Sequence, residues 1–83
     1  MERDIKAIIL MLSSQAMINL GIIPDPVTKS SSVQLEKAEI FIELLNVLKI
    51  KTDGNLNGDE QSYFNEVYNN IIAVHNKIKG NKV

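Results

Sequence analysis

Residues 5–26, IKAIILMLSSQAMINLGIIPDP, constrain the fold more than any other part of the chain. Wound at about 100° per residue, Ile5, Ile8, Ile9, Leu12, Ala16 and Leu20 fall on one side of a helix, and Ala7, Leu10, Met11, Met17 and Ile18 fall roughly opposite. A helix that is apolar on two faces cannot be satisfied by one neighbouring layer. Later segments of the chain cover one face, and the other needs a partner or stays exposed as a patch. Ser13, Ser14, Gln15 and Asn19 interrupt the apolar surface, while Ala7, Ser14 and Gly21 set small residues in line for close helix approach. The same interruptions argue against a membrane span, which needs about 20 mostly apolar residues. Nor is a secretory signal indicated: Glu2 and Asp4 offset Arg3 and Lys6, and no small-residue cleavage site closes the short apolar run 7–12. A soluble, buried helix in a cytoplasmic protein is expected.

The 83 residues make one domain. A domain of this size buries only about 60–65% of the surface its unfolded chain exposes, so its core is thin and an oligomer would strengthen it. A net charge of −1 provides no field to gather polyanions, so nucleic acid is not expected as a partner. With no cysteine, a disulfide framework, a thiolate zinc site and a cysteine nucleophile are all excluded.

The first helix is expected over about 4–20, N-capped by Asp4 and ended by Gly21 in the left-handed conformation, with Ile22 and Ile23 folding back as a hydrophobic clamp. Pro24-Asp25-Pro26 forms a stiff exit, followed by a polar loop over 28–32. Ser31 and Gln34 have capping-box spacing, which predicts a second helix over about 32–52. Its apolar arc is wide, taking in Leu35, Ala38, Ile40, Phe41, Ile42, Leu44, Leu45, Val47 and Leu48, and leaves Glu36, Glu39, Glu43 and Asn46 as the solvent strip. So broad an arc predicts the central helix of the fold. Gly54 ends it, Leu56 plugs the turn, and Asn57 with Glu60 starts a third helix over about 58–79. That helix is simply amphipathic, with Tyr63, Phe64, Val67, Tyr68, Ile71, Val74 and Ile78 on one side. The predicted architecture is all-α: helices 2 and 3 form an antiparallel hairpin, and helix 1 packs on it with one face.

Two blocks, LSSQAMINLGIIPDP at 12–26 and AEIFIELLNVLKIKTDGNL at 38–56, resemble the small bacterial proteins grouped as domain of unknown function 1844. They follow patterns close to L-x-S-x-A-x-x-x-L-G-x-I-P-D-P and A-x-x-x-I-x-L-L-x-x-L-x-x-K-T-x-G-N-L, in order and at matching separation. The resemblance covers most of the chain between residue 10 and about 72. It implies an all-helical bacterial protein and carries over no catalytic residue, because the family is functionally uncharacterised. Against the expected family pattern, the sequence starts almost at the first block where many members have a longer leader, and it reads Asn57-Gly58 where the family often has Thr-Pro.

Several motifs invite chemistry. Asp53-x-Asn55-x-Asn57-Gly58-Asp59 has the early ligand positions of a calcium-binding EF-hand loop. Its twelfth position, which must be a bidentate Glu, is Phe64, and helix-end roles already explain Gly54 and Asn57. His75 is the single histidine, at the edge of the apolar arc of helix 3; a half-buried, hydrogen-bonded ring is expected of it before a catalytic base. Ser13, Ser14, Asp25 and His75 lack the nucleophile elbow of a hydrolase, and mid-helix serines bond back to the preceding turn. Asp25 is read as a turn former, with Pro24, Asp25 and Pro26 kept as a candidate loop contact. Lys77, Lys79 and Lys82 are read as a solvated basic tail. No catalytic, cofactor or metal site is expected.

The expected function is therefore a non-enzymatic oligomerisation or protein-interaction module. Its candidate self-interface is Ala7, Leu10, Met11, Ser14, Met17 and Ile18 on the second face of helix 1, with a two-fold dimer favoured and an unidentified protein partner as a further possibility. Met11→Glu or Ile18→Glu is then expected to break the assembly more than it damages helicity. The alternative is an apolar small molecule or lipid held in a helix-lined pocket, with Met11 and Met17 adapting to its shape.

Overall fold

The computed structural model describes residues 5–80. These form three helices, α1 (Ile5–Asn19), α2 (Leu35–Lys51) and α3 (Gly58–Gly80), with no strand among the described residues. Asp4 and Lys82 lie outside the described residues, so the expected first cap and the end of the basic tail are not placed.

The turn after α1 is built by a glycine. Gly21 sits at φ +79°, and around it the Ile22 N–H donates to the Met17 carbonyl at 3.0 Å and the Gly21 N–H to the Ile18 carbonyl at 3.1 Å. That pair of reversed bonds is a Schellman closure, which requires the left-handed residue that glycine adopts without strain. The hydrophobic clamp expected of Ile22 and Ile23 forms in the backbone alone. Both side chains stay exposed, because the chain leaves along Pro24 rather than lying on the helix.

The loop then returns to where it left. An isolated antiparallel bridge joins Leu20 to Val33, and the Gln34 N–H donates to the Asn19 carbonyl at 2.7 Å. α2 thus starts beside the end of α1 and doubles back along it. The Ser31/Gln34 capping box does not form: α2 starts three residues later than expected, its N-cap is Gln34, and no side chain caps it. The reason is that the Gln34 backbone is already tied to Asn19, which sets the start of α2 from outside the helix.

The turn into α3 follows local rules more closely. Gly54, also at φ +79°, reverses the chain, and half-buried Leu56 packs against the core. Asn57 and Glu60 form a reciprocal capping box, with the Glu60 N–H donating to Asn57 Oδ1 at 2.8 Å and the Asn57 N–H to Glu60 Oε1 at 3.0 Å. Two side-chain contacts show the antiparallel register of α2 and α3. His75 meets Glu39 at 2.8 Å, and ten residues on along α2 and ten back along α3, Lys49 donates to Asn65 Oδ1 at 3.2 Å.

Fully buried Ile9, Ala16 and Leu20 from α1 and its end, Ala38 and Leu45 from α2, and Phe64 and Ile71 from α3 make the core. Buried Ser13 and Asn19 add polar groups, each satisfied within α1 by the carbonyls of Leu10 and Gln15. α1 packs on both other helices, most extensively on α2, while α2 and α3 touch each other least. The central helix is therefore α1 rather than α2. A wide apolar arc signals how much surface wants cover; the placement of neighbours decides how much receives it.

A candidate interaction surface

The residues singled out on α1 divide. Ala7, Leu10 and Met11 are exposed, whereas Ser14, Met17 and Ile18 are half-buried, and Met17 packs against the core. Leu10, Ser14 and Met17 turn toward α3. There, with Ile23, Tyr63 and Val67, they line an open groove of about 230 Å³. Met11 lies outside the groove, so the two methionines expected to share a pocket do not.

A second apolar surface includes Ile40, Leu44 and Val47, which periodicity assigns to the interior. On α2, Ile40, Leu44, Val47 and Ile50 point away from the other helices and stay exposed, Ile50 at 66% and Ile40 at 59%. Meanwhile Glu39, expected on the solvent strip, reaches across to His75. The interior side of α2 is thus set by Ala38 and Leu45, with Phe41, Ile42 and Leu48 partly covered beside them. The signal that could have revealed this is the breadth of the arc itself. Three helices of this length have no fourth neighbour to cover an outward face, and an arc broader than one face must leave part of itself in solvent.

Of the polar candidates, Asp25, Ser13, His75 and Asn57 have defined partners. Asp25 Oδ1 accepts from the Val27 N–H at 2.7 Å and the Thr28 N–H at 3.3 Å, the Asx turn expected between two prolines. Lys29, at φ +58°, completes the loop by donating its N–H to the Asp25 carbonyl at 2.7 Å. Pro24 and Pro26 are exposed on either side. Ser13 Oγ bonds the Leu10 carbonyl at 3.0 Å, and His75, with 13% of its side chain exposed, is held by Glu39. Ser13, Asp25 and His75 thus have three separate partners, and no hydrogen bond among the described residues links them into a relay. In the Asp53–Asp59 loop, Asn57 is committed to capping α3, and Phe64, at the position of the missing Glu, is at the centre of the core. Neither side chain is free to serve a cation.

The described residues thus present apolar outer faces on α1 and α2, a small groove between α1 and α3, and a loop closed by the Asp25 turn. Among the described residues, no helix is long and apolar enough to cross a membrane. Comparison with curated proteins and with solved structures finds no match. A family model described as a domain of unknown function (DUF1844) matches residues 2–71, in agreement with both sequence blocks, and the chain belongs to that family.

Proposed function

We propose that the protein is a non-enzymatic helical module that works by association, first with itself, through exposed apolar helix surface. The observation that carries this is the exposure of large apolar side chains on two adjacent helices at once: Ile8, Leu10 and Met11 on α1, and Ile40, Leu44, Val47 and Ile50 on α2. Scattered exposed apolar residues are ordinary, but clusters at helical spacing on an otherwise simple bundle mark a surface that is covered in use. Asp25, Asn57 and His75 are meanwhile bound into a turn, a helix cap and an interhelix pair. A net charge of −1 and the lack of cysteine suit a cytosolic protein without a nucleic-acid partner or a thiolate metal site.

The test is the solution mass by light scattering over a dilution series. A dimer or larger at high concentration is expected, and a monomer throughout would refute self-association. A second reading draws on the α1–α3 groove, whose apolar lining suits a small apolar molecule or an acyl segment. At about 230 Å³ it is smaller than the usual ligand pocket of roughly 300–1,000 Å³. Native mass spectrometry of the purified protein distinguishes the two, since a co-purifying ligand appears as added mass on the chain.

A further inference from the structure

The outward side of α2 is a seam with a repeat. Ile40 and Val47 stand seven residues apart in one row, Lys37, Leu44 and Lys51 form a second row at the same spacing, and Glu36, Glu43 and Ile50 a third. Rows that repeat every seven residues stay in line along a helix that pairs with another helix. Ile40, Leu44 and Val47 occupy its middle with Glu43 along one edge, and Glu36, Lys37 and Lys51 lie toward its ends, Lys51 beside Ile50. Asp53 follows just past the end of α2, and the His75–Glu39 pair engages none of Glu36, Lys37, Glu43, Lys51 or Asp53.

We propose that two copies of the chain pair along this seam, their α2 helices antiparallel about a two-fold axis, with Leu44 of one copy against Val47 of the other. This presupposes the self-association proposed above and names its site. Once Leu44 meets Val47, the rest of the register follows. Ile40 lies opposite Lys51 of the second copy, which places that lysine between Glu36 and Glu43, one turn to either side of Ile40. Lys37 lies opposite Gly54 of the second copy, beside Asp53. Every lysine of the seam thereby meets a carboxylate. A parallel pair would instead set Lys37 against Lys37 and Lys51 against Lys51, like charges at both ends. The seam is thus complementary to itself when reversed, the condition for a two-fold interface between identical chains. The outer face of α1 has no such rule. Its exposed Ala7, Leu10 and Met11 are accompanied, among the described residues of α1, by one charged side chain, half-buried Lys6, and by no carboxylate, so those residues form no self-complementary charge pattern. Four half-exposed apolar side chains and the stems of two lysines make a small interface, at or below about 1,200 Å² in total, the size of transient complexes. The dimer should come apart on dilution.

Because the chain has no cysteine, single cysteines report the register without background. Ile40→Cys and Lys51→Cys proteins, mixed under mild oxidation, are expected to give the mixed 40–51 disulfide well above either homodimer; a dominant 40–40 product would overturn the antiparallel register. In light scattering across a concentration series, Val47→Lys is expected to raise the dimer midpoint at least tenfold, with Ile40→Lys as a second variant if the first loses helicity by circular dichroism. Met11→Glu should leave the midpoint within about twofold. Lys51→Glu should weaken the dimer, and adding Glu43→Lys should restore it. If Met11→Glu breaks the dimer and both seam variants keep it, self-association stands and this seam falls. If the wild-type chain is monomeric at every concentration, both fall.

Discussion

Gly21 offers a test of how tightly the end of α1 is joined to the start of α2. An added Cβ at Gly21 would meet two obstacles. The backbone sits at φ +79°, and the new methyl would lie 3.0 Å from Val33 Cγ2 and 3.5 Å from the Ser32 backbone. Gly54 shares the same φ, but a methyl added there would have nothing within 4 Å, so it isolates the backbone cost. Placing alanine in the left-handed region costs roughly 1–2 kcal/mol, offset by about 0.4–1 kcal/mol from the stiffer unfolded chain. Gly54→Ala should therefore destabilise by about 1 kcal/mol. Gly21→Ala carries the same cost plus an overpacking penalty of about 1–3 kcal/mol, held to the low end because Val33 is half-exposed and can turn aside. About 2 kcal/mol is expected, a fall in Tm of roughly 8–16 °C against 4–8 °C for Gly54→Ala. Thermal unfolding by circular dichroism measures both. Val33→Ala should be mild by itself and should recover most of the difference when combined with Gly21→Ala. Equal losses for the two glycine variants would refute the close approach of Val33, and with it the tight return of the loop.

Leu45→Ala removes a side chain with no exposed surface and should cost about 2–5 kcal/mol, unfolding much of the population at about 37 °C; an unchanged Tm would refute its place in the core. Asn57→Ala breaks the reciprocal cap of α3 and should cost about 1 kcal/mol, visible as faster amide exchange in the first turn of α3. A double-mutant cycle over Glu39→Gln and His75→Ala should give a coupling below about 1 kcal/mol, because Glu39 is 44% exposed and its pair is screened by solvent. A larger coupling would mean the pair is shielded by something that covers α2.

Much of the fold is legible in the sequence because it rests on short-range geometry. The three helices, the turns at Gly21 and Gly54, the Asn57/Glu60 cap and the Asx turn at Asp25 each depend on residues within a few positions of one another. The departures from expectation share one character. Spacing alone puts the start of α2 too early because a distant carbonyl, that of Asn19, holds Gln34. Periodicity places Ile40, Leu44 and Val47 in the interior because the period of a helix reports which side chains share a face, without reporting which faces find a neighbour. The candidate face on α1 splits for the same reason, Met17 turning to the core and Met11 to solvent.

The amino-acid order alone determined that this chain is helical, where its helices break, and that it carries more apolar helix surface than three short helices can hide. Only the tertiary structure decided that α1 is the central helix and that Ile40, Leu44, Val47 and Ile50 of α2 are part of the surplus. Local rules act through bonds and spacings a few residues long, whereas burial is a property of the space between elements. In so small a domain there are too few elements to cover every face, and the path of the loop from Gly21 back to Gln34 determines which one is left in water.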